Sequence, residues 1–115
     1  MAPPLIRPRK ASSVRITPEL AEFLLRCNND WLRRRVEELF TLLREDREMG
    51  VKIPKSRWPR SYVSRWGIRN LYKCNAGPDW RMTYTLIFDG AGIAVQALEV
   101  LPHKEYDRLF GYGTS

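Results

Sequence analysis

The feature that most constrains the fold is a pair of alternating segments joined by a tight turn in the C-terminal half. In "WRMTYTLIF" (residues 80–88) the odd positions are mostly polar and the even positions are apolar. "DGAG" then turns the chain, and "IAVQALEVL" (residues 93–101) returns as a partner. Alternation with period two around a glycine-rich turn is typical of a β-hairpin. Residues 68–73 also alternate before the turn-forming "NAGPD", so three successive strands are predicted to form an antiparallel meander.

The N-terminal half has the spacing of amphipathic helices instead. "SVRIT" (residues 13–17) predicts a short strand, and Thr17 followed by Pro18 then predicts the N-cap and first residue of a helix. A second helix is predicted to begin at Asn29 or Asp30 and to end at Gly50. The short linker between the helices predicts an antiparallel hairpin. Two apolar stripes are predicted to face the core: Leu20, Phe23, Leu24 and Cys27, and then Leu32, Val36, Leu39, Phe40 and Leu43.

These elements predict an α+β fold. An N-terminal strand and an antiparallel helix hairpin are expected to pack on a three- to four-stranded antiparallel sheet, with a short C-terminal segment. A chain of 115 residues builds one core, so residues 13–115 are predicted to form one domain. Residues 1–12, which mix prolines and cations, are predicted to be a flexible N-terminal arm. "KIPKSRWPRSY" (residues 52–62) has two prolines and no regular period, which predicts a loop or irregular edge.

Several features predict a cytoplasmic protein that does not bind membranes. No apolar run approaches the roughly 20 residues that a membrane-spanning helix requires. The N-terminus "MAPPLIRPRK" has no apolar core segment, unlike a secretory signal. Cys27 and Cys74 have no CxxC spacing, and we expect them to be free, buried thiols in a reducing compartment.

The net charge of +7 is concentrated in one part of the chain. Residues 52–81 contain eight cations against a single acid, Asp79. Such a segment suits a polyanion, because neutralising phosphates releases counterions; the alternative is a solvated basic face. Aromatic residues in the same segment offer surfaces on which bases stack. The predicted RNA-binding residues are Lys52, Lys55, Arg57, Arg60, Arg65 and Arg69.

A second group of cations is predicted to converge at one end of the sheet. Lys73 and Arg81 flank the "NAGPD" turn, and the strand at residues 93–101 carries His103 and Lys104 back to the same end. A guanidinium binds phosphate oxygens two at a time, and imidazole serves as acid or base near neutrality. A structural histidine at a strand end is the alternative. The sequence has no paired carboxylates or metal-ligand cluster in a plausible pocket, so neither a metal nor a cofactor is predicted.

Two motifs carry a resemblance to a known family. "GPDWRMTYTLIFDG" and "HKEYDRLFGY" resemble motifs of the RelE/ParE superfamily of toxins from toxin–antitoxin systems, and the likeness extends over residues 13–112. The RelE-like branch implies a small, cytoplasmic, metal-independent endoribonuclease that cleaves messenger RNA, often on the ribosome, through attack of the 2′-hydroxyl on the adjacent phosphate. It also implies inhibition by a small antitoxin.

The resemblance assigns roles to individual residues. Arg81 matches the strand arginine that stabilises the transition-state phosphate, and Lys73 matches a basic residue of the preceding strand. His103 and Lys104 match a histidine–basic pair after the last strand. The phenol found near the C-terminus of some active members is supplied by Tyr106 or Tyr112. RelE has a second lysine where this chain has Leu71, and Arg69 is the nearest substitute.

Two other functions remain open at this point. ParE-like members share the fold and inhibit DNA gyrase, so the fold alone does not establish nuclease activity. The chain is also consistent with a basic RNA- or ribosome-binding module that has no catalytic activity.

Overall fold

The computed structural model describes residues 9–112, which form a five-stranded mixed sheet with helices on both faces. The strand order is β1-β5-β4-β3-β2, and β1 is parallel to β5 whereas the other neighbours are antiparallel. In chain order the elements are β1 (Val14–Ile16), α1 (Pro18–Arg26), α2 (Asp30–Glu45), β2 (Val51–Lys52), α3 (Arg60–Trp66), β3 (Tyr72–Asn75), β4 (Trp80–Phe88), β5 (Ile93–Pro102) and α4 (His103–Phe110).

The predicted α+β class is confirmed, and the predicted sheet is corrected. The meander of β3, β4 and β5 forms as expected, with β4 and β5 paired from Trp80 opposite Pro102 to Phe88 opposite Ile93. The sheet nevertheless has five strands, not three or four, and it is mixed, not antiparallel. The fifth strand is the short β2, whose second residue, Lys52, begins the segment predicted as a loop or irregular edge. A two-residue strand is too short to leave a period in the sequence.

The strand predicted at residues 68–73 begins later than expected, at Tyr72. The side chain of Asn70 explains the shift. Its Oδ1 accepts a hydrogen bond from Leu86 N at 2.7 Å, and its Nδ2 donates to Leu86 O at 3.0 Å. The side-chain amide therefore forms hydrogen bonds with the backbone of β4, where backbone hydrogen bonds from a longer β3 were expected.

The first face of the sheet carries α1 and α2, and both predicted apolar stripes lie there. Thr17 is the N-cap of α1, and Asn29 is the N-cap of α2. The end predicted for the second helix is corrected, because α2 stops at Glu45, ahead of Gly50. The fully buried residues of this core include Leu20, Leu32, Val36, Leu39, Leu43, Met82 and Tyr84, with Phe23, Leu24, Cys27 and Phe40 packed around them.

The second face carries α3 and α4, which the sequence analysis missed. The prediction of a loop at residues 52–62 is corrected, because Pro59 precedes a seven-residue helix that Gly67 ends in the left-handed region. A proline at the start and a glycine at the end mark a helix. Tyr62 and Trp66, one turn apart, face the sheet. This second core contains Ile53, Tyr62, Ile68, Leu71, Leu98, Tyr106 and Phe110.

Residues 9–12 of the predicted N-terminal arm contact the rest of the domain. Residues 1–8 lie outside the described part. Arg9 bonds to Asp46 at 2.7 Å, and the backbone N of Ser12 donates to Ile93 O at 2.8 Å.

Both thiols are free as predicted, but only Cys74 is buried, and burial raises its pKa to about 12. Within residues 9–112, no helix combines the length and apolarity needed to cross a bilayer.

Thr17 links α1 to the sheet and gives a test of the first face. Its buried Oγ1 accepts from Leu20 N at 3.1 Å and donates to Leu98 O at 2.6 Å. We expect Thr17→Val to lower the free energy of unfolding by about 1–3 kcal/mol, because both partners lose their bond. Urea unfolding followed by circular dichroism measures it. Thr41→Val, on the exposed side of α2, is the matched control, and an equal loss in both variants would contradict the prediction.

Candidate active site

Arg81, a central residue of the candidate site, is the second residue of β4 and lies next to the turn between β3 and β4. Its Nη1 donates to the carbonyls of Pro78 at 3.1 Å and Trp80 at 3.0 Å, with Gly77 O at 3.5 Å. Nε and Nη2 have no protein acceptor within residues 9–112. The guanidinium is therefore anchored by one nitrogen, and it keeps donors available for an oxyanion.

The turn that anchors Arg81 is supported from the helical side by Trp31. Gly77 has φ +79°, and a Cβ built there would lie 2.3 Å from Cη2 of Trp31. The position therefore needs a glycine for two reasons, its backbone conformation and the close approach of the indole. Trp31 is half exposed, so this contact holds the turn from outside the core.

Lys73 lies beside Arg81 on the same face of the sheet. Asn75 is directly opposite Arg81 across β3 and β4, and Lys73 Nζ donates to Asn75 Oδ1 at 3.2 Å. The same ammonium lies 5.8 Å from the ring centroid of Tyr106. Burial and, after it, the positive charge of Arg81 lower the pKa of Lys73. Two cations thus share a site that has little carboxylate to balance them.

The start of α4 brings His103 to this end of the sheet. The backbone N of His103 donates to Asp79 O at 2.8 Å, which ties the helix to the turn before β4. Its Nδ1 lies 3.9 Å from Oδ2 of Asp107, one helical turn later, and both side chains are partly exposed. The Asp107 charge also acts on Lys73, where it raises the pKa. Asp107 is therefore the carboxylate that acts on both the imidazole and the lysine.

The two candidate tyrosines occupy different environments. Tyr106 is 3% exposed, stacks on Phe110 at 4.4 Å, and its hydroxyl is buried without a partner among the described residues. Burial raises its pKa. Tyr112 is 41% exposed and stacks on Tyr106 at 5.9 Å and 8°. The Arg57 guanidinium lies 4.4 Å from the Tyr112 ring centroid, and its Nη1 donates to Gly111 O.

A buried polar cluster lies between α3 and the sheet, next to these aromatics. The hydroxyl of Tyr62 donates to Glu99 Oε1 at 2.5 Å and lies 3.0 Å from Thr83 Oγ1. Burial, followed by the charge of Glu99, raises the pKa of Tyr62. The ring of Tyr62 meets Phe110 edge to face at 5.3 Å. The cluster thus fixes the aromatic layer beneath the site.

The basic segment at residues 52–81 keeps its charge uncompensated. None of its eight cations forms an ion pair with a carboxylate in the described part of the chain. The cations that do form ion pairs lie elsewhere: Arg9, Lys10, Arg15, Arg26, Arg33, Arg35 and Arg47. The excess positive charge is therefore available to a polyanion.

The predicted residues divide into two groups. Lys73, Arg81, His103, Tyr106 and Tyr112 come together around the sheet end as described above. The predicted RNA-binding cations are all exposed, and Arg57 alone among them has a contact with this group. Lys104 is exposed and has no hydrogen bond or ion pair within residues 9–112, so its role stays a prediction.

Sequence reasoning missed several members of the site. They are Trp31, Tyr62, Glu99 and Asp107. A helix assigned to residues 103–110 would have placed Asp107 one turn after His103, since residues four apart share a face. The contacts of the other three depend on long-range packing that leaves no local signal.

The support of the turn can be tested with two glycines. Gly90 also has a positive φ, of +87°, but no atom lies within 4 Å of a Cβ built there. We expect Gly77→Ala to cost about 1 kcal/mol or more beyond Gly90→Ala in unfolding free energy, because only Gly77 meets Trp31. Adding Trp31→Ala should abolish that excess, as chemical denaturation of the double mutant measures. Equal costs in the two single variants would contradict the proposed support.

The two buried tyrosines of the second face should respond oppositely to loss of the hydroxyl. Tyr62→Phe removes a bond to a carboxylate, and we expect it to lower the free energy of unfolding by about 1–2 kcal/mol. Tyr106→Phe removes a hydroxyl without a partner, so stability should stay equal or rise. Thermal unfolding of both variants gives the comparison. Marked destabilisation by Tyr106→Phe would mean that its hydroxyl has a partner.

Comparison with protein-family models, curated proteins and solved structures found no match for this chain. The resemblance to the RelE/ParE superfamily therefore rests on the sequence alone and stays a prediction. Within residues 9–112, no group of three or more His, Cys, Asp or Glu side chains is placed to hold a metal ion.

Proposed function

We propose that this protein is a RelE-like toxin, a metal-independent endoribonuclease that acts in the cytoplasm on messenger RNA bound to the ribosome. One observation carries the proposal. Lys73, Arg81 and the His103–Asp107 pair come from three separate segments and meet at one end of the sheet beside Tyr112. Cations raise each other's free energy when they approach, so their convergence on a partly exposed surface favours a bound anion.

The geometry suits stabilisation of a phosphorane. When the 2′-hydroxyl attacks the adjacent phosphate, negative charge grows on the non-bridging oxygens. Arg81 can receive that charge on Nε and Nη2, because Nη1 is already held by the turn. Lys73 adds a second positive charge within the same site. Donors fixed before the reaction lower the barrier without reorganising during it.

His103 is proposed as the group that moves protons. Asp107 lies nearest to Nδ1, at 3.9 Å, which leaves Nε2 to face the reacting atoms. The separation of 3.9 Å is longer than a hydrogen bond, so Asp107 acts on the imidazole through its charge. The imidazole then accepts the proton of the 2′-hydroxyl or donates one to the departing 5′-oxygen.

Exposure distinguishes between the two phenols. The Tyr106 hydroxyl is buried, and its ring stacks on Phe110. Tyr112, in contrast, is 41% exposed. Tyr112 is therefore proposed to contact RNA, and Tyr106 to support it. Arg57, which lies over the Tyr112 ring, adds a positive charge next to the phenol.

The proposal includes inhibition by a small antitoxin and a RelE-like arrangement of the helix hairpin. A groove on the first side of the molecule would suit an antitoxin segment. Its apolar lining includes Leu39, Leu42, Met49 and Val51, and the polar side chains of Arg35, Lys73 and Asn75 also line it. Leu42 and Val51 are exposed apolar residues, and β2 lies at the edge of the sheet. An edge strand next to an apolar groove is the surface that an added strand or helix covers.

The test is a transcriptome-wide map of new RNA 5′ ends after brief induction. We expect the wild type to produce cuts phased with codons, and Arg81→Ala and His103→Ala to reduce them at least about 100-fold. Tyr112→Phe should reduce cleavage more than Tyr106→Phe. Arg26→Ala is the matched control, because it removes the same charge from α1, on the other face of the sheet. Circular dichroism confirms that each variant folds.

Two outcomes would overturn the proposal. Growth arrest with intact messages and DNA damage signalling would indicate a gyrase inhibitor on the same fold. Salt-sensitive RNA binding without any cleavage would indicate a non-catalytic RNA- or ribosome-binding module.

A further inference from the structure

We propose that two adjacent cavities on either side of Arg69 and Asn70 bind consecutive nucleotides of single-stranded RNA. The identification of the bound polyanion as RNA rests on the proposed function. The cavities lie away from Lys73 and Arg81, and they have their own aromatic residues and cations. They would extend the substrate-binding surface beyond the reacting phosphate.

The first cavity, of about 360 Å³, lies between the end of α3, the last residues of β4 and Gln96 of β5. Trp66 and Ile87 form apolar walls, and Arg69 lies at its edge. Gln96 also lines it, is half-buried, and has no side-chain hydrogen bond to another described residue. A flat apolar wall with one free amide suits a nucleobase, which stacks by its face and bonds by its edge.

The second cavity, of about 400 Å³, lies on the other side of Arg69 and Asn70. Lys52, Lys55 and Trp58 line it. The indole Nε1 of Trp58 donates to Ile53 O at 2.9 Å, so this ring is held in place. The cavity therefore repeats the combination found in the first, a tryptophan beside cations.

The residues between the cavities form a fixed ridge. Asn70 is bound to Leu86 through both atoms of its amide, and Thr85 Oγ1 donates to Asn70 O at 2.8 Å. Arg69, the neighbour of Asn70, is exposed and forms no ion pair with a described carboxylate. A guanidinium on the ridge between two base-sized cavities is placed to contact the phosphate that joins two nucleotides.

Charge distinguishes RNA from other occupants of these cavities. Neither cavity is lined by an aspartate or glutamate, whereas Lys52, Lys55 and Arg69 line them. The Arg65 guanidinium lies 5.3 Å from the Trp66 ring centroid and adds a further cation at the same place. Bases enter such cavities only from an unpaired strand, because in a duplex they are stacked and paired.

The cavities lie within reach of the candidate active site. Arg81, Thr85 and Ile87 share one face of β4, and a strand rises about 3.4 Å per residue, which places the first cavity roughly 14–20 Å from Arg81. A row of aromatic contacts spans this distance, through Trp66, Tyr62, Phe110, Tyr106 and Tyr112. One single strand can therefore occupy both places.

Binding is tested with a fluorescein-labelled 2′-O-methyl RNA hexamer, followed by fluorescence anisotropy. The blocked 2′-oxygen prevents cleavage, so binding is measured alone. We expect Arg69→Glu and Trp66→Leu each to weaken the affinity about tenfold or more, and Trp66→Phe to weaken it about threefold or less. The matched control is Arg26→Glu, which makes the same charge change on the other face and should alter affinity less than Arg69→Glu. The hexamer annealed to its complement should bind more weakly than the single strand.

Equal weakening by Arg69→Glu and Arg26→Glu, or equal binding of duplex and single strand, would overturn the inference. Because Arg69 is exposed, its variant stays decisive even where Trp66→Leu unfolds the protein. The results distinguish failure of the proposed nuclease from failure of the proposed nucleotide-binding cavities. Hexamer binding that depends on Arg69 and Trp66 in a protein that cuts no RNA would refute the nuclease and support the cavities. Cleavage that depends on Arg81, with hexamer binding unchanged in both cavity variants, would refute the cavities alone.

Discussion

The alternation of side chains along β4 is the constraint on which both faces of the molecule depend. Met82 and Tyr84 point into the core beneath α1 and α2, whereas Arg81, Thr83 and Thr85 lie on the opposite face. A shift of the register by one residue would place charged and polar groups in the first core, so the buried face fixes the position of the exposed one. Because β5 pairs with β4 along its whole length, it also delivers the first residue of α4 to the end of the sheet where Arg81 lies.

Helix α4 then adds His103 and Asp107 to the candidate site at this end of the sheet. Tyr106 and Phe110 anchor the helix on the second face, and they leave His103 and Asp107 partly exposed at its beginning and middle. The aromatic row beneath is rigid, because its members meet at 4.4–5.9 Å and Tyr62 is tied to Glu99. Its two ends, Trp66 and Tyr112, each lie under an arginine. A packed, largely buried aromatic layer thus supports a cation at each of its two ends.

Much of the fold follows from local patterns, and the rest depends on contacts between distant residues. The periods of α1, α2, β4 and β5 are long enough to recognise, whereas α3 has seven residues and two prolines nearby obscured it. The late start of β3 was unpredictable, because a single amide, that of Asn70, replaces the expected ladder. Lys73 and Arg81 were predicted together since they flank one turn. The choice between Tyr106 and Tyr112 needed burial, which a sequence does not contain, and the roles of Trp31 and Glu99 needed tertiary packing.

The cations of the candidate site disfavour one another's charged forms. Burial and the charge of Arg81 lower the pKa of Lys73, so the folded protein holds the protonated lysine at a higher free energy than water would. Asp107 offsets only part of this effect, and the other cations of residues 52–81 have no carboxylate partner in the described structure. A phosphate between Lys73 and Arg81 reverses the sign of the interaction, because each cation then faces an anion and the pKa of Lys73 rises. Binding of a polyanion, as proposed, would recover the free energy that the fold gives up by gathering these cations.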